Sequence, residues 1–214
     1  MPVSGIILVG GSSRRMGQDK ALLPVGNQRL IDRVVSLVGA VADDLLVVAS
    51  GAERYRSPHW RVVQDAFPGA GSLGGLYSGL QAARYSYAVA VAVDMPFLNP
   101  DLLRYLIRVG RDWDATVPQV NPFRLSAHPG RDGHAPTARD ADLQPLHAVY
   151  HRRVAIAIRE CIRQGDLRMI SFLPLVRVRL VSNEETARYD PEGLSFFNAN
   201  TPDDWRAVQE RLND

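Results

Sequence analysis

The sequence predicts an α/β fold in which a mostly parallel central sheet is covered by helices on both faces, giving three layers. Three observations lead there. Short apolar runs alternate with longer stretches of helical period, as they do in successive βαβ units. The run YAVAVAV over residues 87–93 is apolar on both sides, alanine on one and valine on the other, as a strand enclosed between two helical layers requires. A chain of 214 residues, 46% hydrophobic and 22% charged, is long and apolar enough to bury a core, which sets aside disordered, collagenous and solenoid classes.

In chain order, the first strand is expected over residues 3–9. Its uninterrupted apolar part, Ile6 to Val9, is too short for a membrane span or a signal-peptide core, and no basic segment precedes it. The expectation is a cytoplasmic protein with no membrane partner. Further strands are expected over 44–50, 60–64, 87–93, 115–120, 146–150 and 177–181, and helices over 29–41, 73–84, 101–111, 152–164 and 202–212. Two helix starts carry explicit signals: Asn99-Pro100-Asp101 and Thr201-Pro202-Asp203-Asp204 each place a capping side chain before a proline at the first helical position, with acids in the first turn. In the helix over 152–164, Val154, Ile158, Cys161 and Ile162 share one face, so the chain's one cysteine reads as core packing. Residues 121–143 break the pattern, with three prolines, two glycines and no hydrophobic period. They read as a flexible insertion in a single domain spanning 1–214. His128 and His134 within it lack the ligand spacing of a zinc site and read as solvated.

The net charge of +2 demands no nucleic-acid partner. The basic residues are nevertheless uneven: of the 25, all but Lys20 are arginine. That lysine ends the segment Gly10-Gly11-Ser12-Ser13-Arg14-Arg15-Met16-Gly17-Gln18-Asp19-Lys20, directly after the first strand. Adjacent glycines let a backbone approach an anion closely, and their amides can cradle phosphate oxygens. The Walker spacing fails, because Lys20 stands three residues past Gly17 and precedes Ala21; the dinucleotide GxGxxG pattern fails because Gly10 and Gly11 are adjacent. Asp94 stands at the carboxyl end of the YAVAVAV strand, where open α/β sheets bind ligands, and a carboxylate there suits a hard cation such as Mg²⁺. Asn198 and Asn200, two apart on an extended segment, face the same side and could reach one ligand.

GGSSRRMGQDKALL resembles the amino-terminal signature of the molybdenum cofactor guanylyltransferases. The resemblance continues in order through Gly71-Ser72-Leu73-Gly74-Gly75, Val93-Asp94-Met95-Pro96, Pro145-Leu146-His147-Ala148-Val149-Tyr150 and Asn198-Ala199-Asn200-Thr201-Pro202, and so covers nearly the whole chain. It implies a Rossmann-like nucleotidyltransferase that transfers GMP from GTP to molybdopterin or its molybdenum-loaded form and releases pyrophosphate, with Mg²⁺ as cofactor. It implies a nucleotide site at Leu8, Val9, Gly10, Gly11, Lys20, Asp65 and Asp94. Catalytic roles fall on Lys20, Arg15 and Asp94, with the metal on Asp94 and acceptor contacts at Asn198, Asn200 and His147. Taken from the residues alone, Asp65 could equally be a turn former before Phe67-Pro68-Gly69, Arg14 and Arg15 could be solvent-facing, and His147 and Tyr150 could be ordinary strand residues. Because molybdopterin is sensitive to oxidation, transient contact with molybdenum-insertion proteins and apo-molybdoenzymes is a further expectation.

Departures from the family pattern are also visible. Val9 stands where alanine is usual and could crowd the base pocket, Ser72 replaces a proline, and only Ser50 offers a side-chain donor at the end of the second strand. The same chemistry with CTP, or with a sugar or polyol phosphate, is the nearest alternative, and a catalytically silent nucleotide-binding regulator is a more distant one.

Overall fold

The computed structural model describes residues 1–10, 19–120 and 143–213. Of the expectations above, those on Gly11, Arg14, Arg15 and the segment 121–142 lie outside these residues.

Seven strands form one sheet in the order β5-β4-β1-β6-β8-β7-β9. They are β1 (Ser4–Val9), β4 (Asp44–Ala49), β5 (Arg61–Gln64), β6 (Tyr87–Ala92), β7 (Ala115–Pro118), β8 (His147–His151) and β9 (Val178–Val181). Pairing is parallel at β1–β4, β1–β6, β4–β5 and β7–β9, whereas β8 runs antiparallel to both its neighbours. Five longer helices cover the sheet: α1 (Leu30–Gly39), α2 (Gly71–Ala82), α3 (Pro100–Val109), α4 (Ala155–Arg163) and, after the one-turn α5 (Asn183–Thr186), α6 (Pro202–Asn213). Each predicted strand and helix is present, with ends shifted by a few residues.

The two-sided reading of YAVAVAV holds in the packing. Val89 and Val91 join the core beneath α1 and α3, with Ile7, Val34 and Leu102. Ala88 and Ala90 face the other layer, with Leu76, Leu80, Tyr150 and Ile158. Alanine on that side leaves room for α2, which approaches β1 closely: a Cβ on Gly79 would stand 2.5 Å from Ile6 Cγ2, and one on Gly75 3.3 Å from Leu8 Cδ2. Cys161 is buried beside Ile158 and Val154 as expected, and burial pushes its thiol pKa up. The Asn99 side chain caps α3 by accepting from the amides of Asp101 and Leu102 at 2.8 and 3.3 Å. At the start of α6 the Asp204 amide donates to Thr201 Oγ1 at 3.1 Å, while Asp204 Oδ2 accepts from the Thr201 amide at 2.7 Å.

One element was not expected. Pro24–Val25 (β2) and Gln28–Arg29 (β3) form a small antiparallel hairpin around Gly26, whose φ of 58° is the left-handed conformation that a tight hairpin turn needs. It links the Lys20 segment to α1, and the Leu30 amide donates to Leu23 O at 2.9 Å across its base. Among the described residues, no helix is long and apolar enough to cross a membrane.

Candidate active site

The carboxyl ends of β1, β4, β5 and β6 lie side by side, and the sequence-predicted residues gather there. At the end of β1, Leu8 and Val9 are buried and Gly10 is exposed. Leu8 O accepts from the Val93 amide at 3.1 Å, which ties the first loop to the segment leading into Asp94. The Val9 side chain packs into the core on the α1 face with Ile7 and Ala49, because alternation along β1 sends it there while Leu8 faces α2.

Lys20 opens a short 3₁₀ turn, Lys20–Leu22, capped by Asp19. Its ammonium lies 3.3 Å from Ala199 O, 3.1 Å from Asn200 O and 3.1 Å from Asn200 Oδ1. Three donors thus meet three acceptors on the NANT segment, which stands 180 residues away in sequence. The Ala199 amide in turn donates to Asp94 O at 2.9 Å. Three motifs that are separate in the sequence, ending at Lys20, Asp94 and Asn200, form one connected set.

Asp94 is partly buried, and its Oδ1 is enclosed with no hydrogen-bond partner among the described residues. Burial pushes its carboxyl pKa above the usual range, and the charge of Lys20 pulls the other way. An orphaned carboxylate oxygen at the mouth of a sheet is what a hard cation would satisfy. Among the described residues, no group of three or more metal-ligating side chains gathers anywhere, so a cation held here would complete its shell with substrate oxygens and water, the usual habit of Mg²⁺.

Asp65 is buried at the end of β5, where its Oδ1 accepts from the Phe67 amide at 2.9 Å and lies 3.2 Å from Ser78 Oγ. A Cβ on Gly74 would stand 2.9 Å from the Phe67 carbonyl oxygen and 3.2 Å from that carboxylate oxygen, which explains the glycine. One carboxylate oxygen therefore organises the turn into α2, the turn-forming role left open above. Asn198 and Asn200 are not joined on one target: Asn198 Nδ2 folds back to Phe196 O at 3.1 Å, while Asn200 holds Lys20.

His147 requires a correction. Its side chain is fully enclosed at the β8 end next to Val91, with its ring 4.8 Å from that of Phe196. A sealed ring does not touch a diffusible acceptor, so the acceptor contact implied for His147 is set aside. Among the described residues both ring nitrogens lack partners, and burial pushes the pKa down to about 4, so the imidazole is neutral at pH 7. Tyr150 is likewise interior and donates its hydroxyl to Pro145 O at 2.7 Å.

Sequence reasoning passed over the residues that brace the site. Asp19 Oδ1 accepts from the Ala21 amide at 3.2 Å, and its Oδ2 accepts from the Tyr55 hydroxyl at 2.6 Å and from Arg54 at 3.2 Å. Tyr55 is buried, its carbonyl accepting from Trp60 Nε1 at 2.8 Å. Asp19 lies within a quoted motif, but Tyr55 lies 36 residues off with no periodic or motif signal.

Residues 5–178 match the family model described as the MobA-like NTP transferase domain. A probable molybdenum cofactor guanylyltransferase of Pelotomaculum thermopropionicum is 37% identical over 95% of this chain and 90% of its own length. Another from Chloroflexus aggregans is 35% identical over 99% and 96%. Among solved structures, molybdopterin-guanine dinucleotide biosynthesis protein A from Archaeoglobus fulgidus superposes with a TM-score of 0.77 at 25% identity, covering 99% of both chains. The 2-C-methyl-D-erythritol 4-phosphate cytidylyltransferase of Thermus thermophilus shares the fold at a TM-score of 0.68 and 21% identity. A sheet whose strand ends bring Lys20, Asp94 and the NANT segment together, and relatives matched along nearly their whole length, agree: this chain belongs to the MobA-like NTP transferase family.

Proposed function

We propose that this chain is a molybdenum cofactor guanylyltransferase: it transfers GMP from GTP to molybdopterin, or to its molybdenum-loaded form, and releases pyrophosphate. The observation that carries the reading is the set in which Lys20 is bonded to Ala199 and Asn200, and Ala199 in turn to the Asp94 carbonyl, which places a cation and an unpartnered carboxylate at the mouth of the sheet. The names of the full-length relatives support the guanylyl and molybdopterin assignments.

In this reading the terminal phosphate of molybdopterin attacks the α-phosphorus of GTP in line, and a P–O bond to the β-phosphate breaks. Such chemistry asks a protein for positioning and charge compensation rather than a nucleophile. The backbone of Leu8, Val9 and Gly10, with Gly11 beyond it, lines the nucleotide. Lys20 places a compact positive charge on the triphosphate, and Arg15 adds a broader clamp. Asp65 holds the turn that shapes the nucleotide pocket, and Asn200, with Asn198, bounds the acceptor side. Nucleotidyltransferases generally use a divalent metal; Mg²⁺ held by Asp94 would screen the phosphates and stabilise charge on the departing pyrophosphate. The protein works in the cytoplasm, with transient contacts to a molybdenum-inserting protein and to apo-molybdoenzymes.

The test is to incubate the protein with Mg²⁺, molybdopterin and each of GTP, CTP, ATP and UTP in turn while following pyrophosphate. Release with GTP alone is expected. Release with CTP alone would overturn the guanylyl assignment.

A further inference from the structure

Arg33 stands in the first turn of α1, half-buried, and among the described residues its charge is matched by no carboxylate. Its neighbour Asp32 is taken by Arg29, which grips both carboxylate oxygens at 2.7 and 2.8 Å. Burial lowers the Arg33 pKa, and no acid among the described residues opposes the effect. A guanidinium withdrawn from water without an ion pair is costly, so its one directed contact among the described residues carries weight: Nε donates to Pro96 O at 2.6 Å.

Pro96 lies two residues past Asp94, in a loop held mostly from the C-terminal side. Ala199 N meets Asp94 O at 2.9 Å, the Asn99 amide donates to Ser195 Oγ at 2.9 Å, and Asn99 Nδ2 reaches Tyr189 O at 2.8 Å. Arg33 is the tie from α1. That helix is joined to the Lys20 segment by the β2–β3 hairpin and by the Leu30–Leu23 backbone bond. Arg33 therefore connects the body carrying Lys20 to the loop carrying Asp94, over a short charge-assisted bond.

We propose that Arg33 is a positioning residue that sets the separation of the Lys20 ammonium from the Asp94 carboxylate through its hydrogen bond to the Pro96 carbonyl. The proposal rests on the reading of Asp94 as the metal-holding carboxylate. Loss of the bond leaves the 94–97 loop free to shift by the fraction of an ångström that in-line transfer does not tolerate.

Two substitutions separate the bond from the charge. Arg33→Met keeps the apolar stem and removes every donor, whereas Arg33→Gln keeps an N–H where Nε stands and removes the charge. With GTP and molybdopterin, Arg33→Met is expected to lower kcat about tenfold, the order expected for one lost charge-assisted hydrogen bond, with KM for GTP changed less than about twofold. Mn²⁺ titrations of the protein–GTP mixture, read by electron paramagnetic resonance, should show weaker metal binding in Arg33→Met and near-wild-type binding in Arg33→Gln. Raised KM for GTP or molybdopterin in both variants, with kcat intact, would make Arg33 a substrate-phosphate ligand and overturn the proposal. So would equal losses in both variants that track a fall in Tm. Failure of the wild-type protein to release pyrophosphate would refute the guanylyltransferase reading alone, since the Mn²⁺ titration reports on Arg33 without turnover.

Discussion

Replacing Lys20 by arginine keeps a positive charge while removing the ammonium's geometry, in a chain that uses arginine at every other basic position. The Lys20 nitrogen meets three oxygens at 3.1 to 3.3 Å, and they converge on it from the NANT segment. Three hydrogens on one rotatable nitrogen can satisfy such a set, whereas the donors of a guanidinium lie in one plane and diverge. Arginine therefore forfeits about two of the three contacts and moves its charge outward. In the reacting complex the same misplacement takes one preorganised charge away from the phosphates, an effect of about 3 kcal/mol. In rate this is about a hundredfold. The assay is pyrophosphate release under saturating GTP and molybdopterin, with thermal unfolding run in parallel. Lys20→Arg should stay folded at the assay temperature, with a Tm lowered by the lost contacts, and lose about two orders of magnitude in kcat, and Lys20→Ala should lose at least as much. If Lys20→Arg turns over within about threefold of wild type, positive charge alone is the requirement and the geometric reasoning is wrong.

Three further outcomes follow from the site. Asp94→Asn should abolish pyrophosphate release yet raise the Tm of the metal-free protein at neutral pH. The buried, unpartnered carboxylate costs about 1–2 kcal/mol, or about 3–6 °C for a chain of this size. Because burial raises the native pKa above the unfolded value, that cost is present above the native pKa and disappears as acid protonates Asp94. A gain in Tm that persists unchanged into strong acid would contradict it. His147, with a native pKa of about 4, penalises folding as pH falls below its unfolded value of about 6.5. Urea unfolding at pH 7 and pH 4.5 should show the wild type losing about 2–3 kcal/mol through this group. His147→Phe should escape that loss, and parallel losses in both proteins would dismiss it. Tyr55→Phe removes the hydroxyl that holds Asp19 and should lower kcat by about fivefold to tenfold with little change in the KM for molybdopterin; an unaltered kcat would show that Asp19 needs no brace.

What could be read from the sequence is what depends on local repetition. The βαβ rhythm, the alanine and valine sides of β6 and the caps at Asn99 and Thr201 each express a short-range rule, and each is present in the structure. The site motifs were legible as separate pieces: Lys20, Asp94 and Asn200 were all singled out. Their joining through Ala199 was not, because contacts across 180 residues leave no trace in spacing. Arg33 and Tyr55 were overlooked for the same reason, each acting on a partner 63 or 36 residues away. His147 takes the ordinary strand place that the residues alone allowed rather than the acceptor contact that its family motif implied, and its enclosure depends on Phe196 arriving from the far end of the chain. The β2–β3 hairpin, with strands of two residues each, is below the length at which any period can register.

The isolation of Lys20 turns the protein into its own labelling experiment. Apart from the α-amino group, its ammonium is the one amine in the chain. Reductive methylation with ¹³C-formaldehyde would therefore give two carbon resonances, one of which reports from the centre of the candidate site. The dimethylated nitrogen keeps its positive charge and one N–H, and its chemical shift would register a triphosphate arriving beside it, with no mutation and no assignment problem. By the same count, amine-directed coupling to a surface or a fluorophore would reach this one side chain and no other.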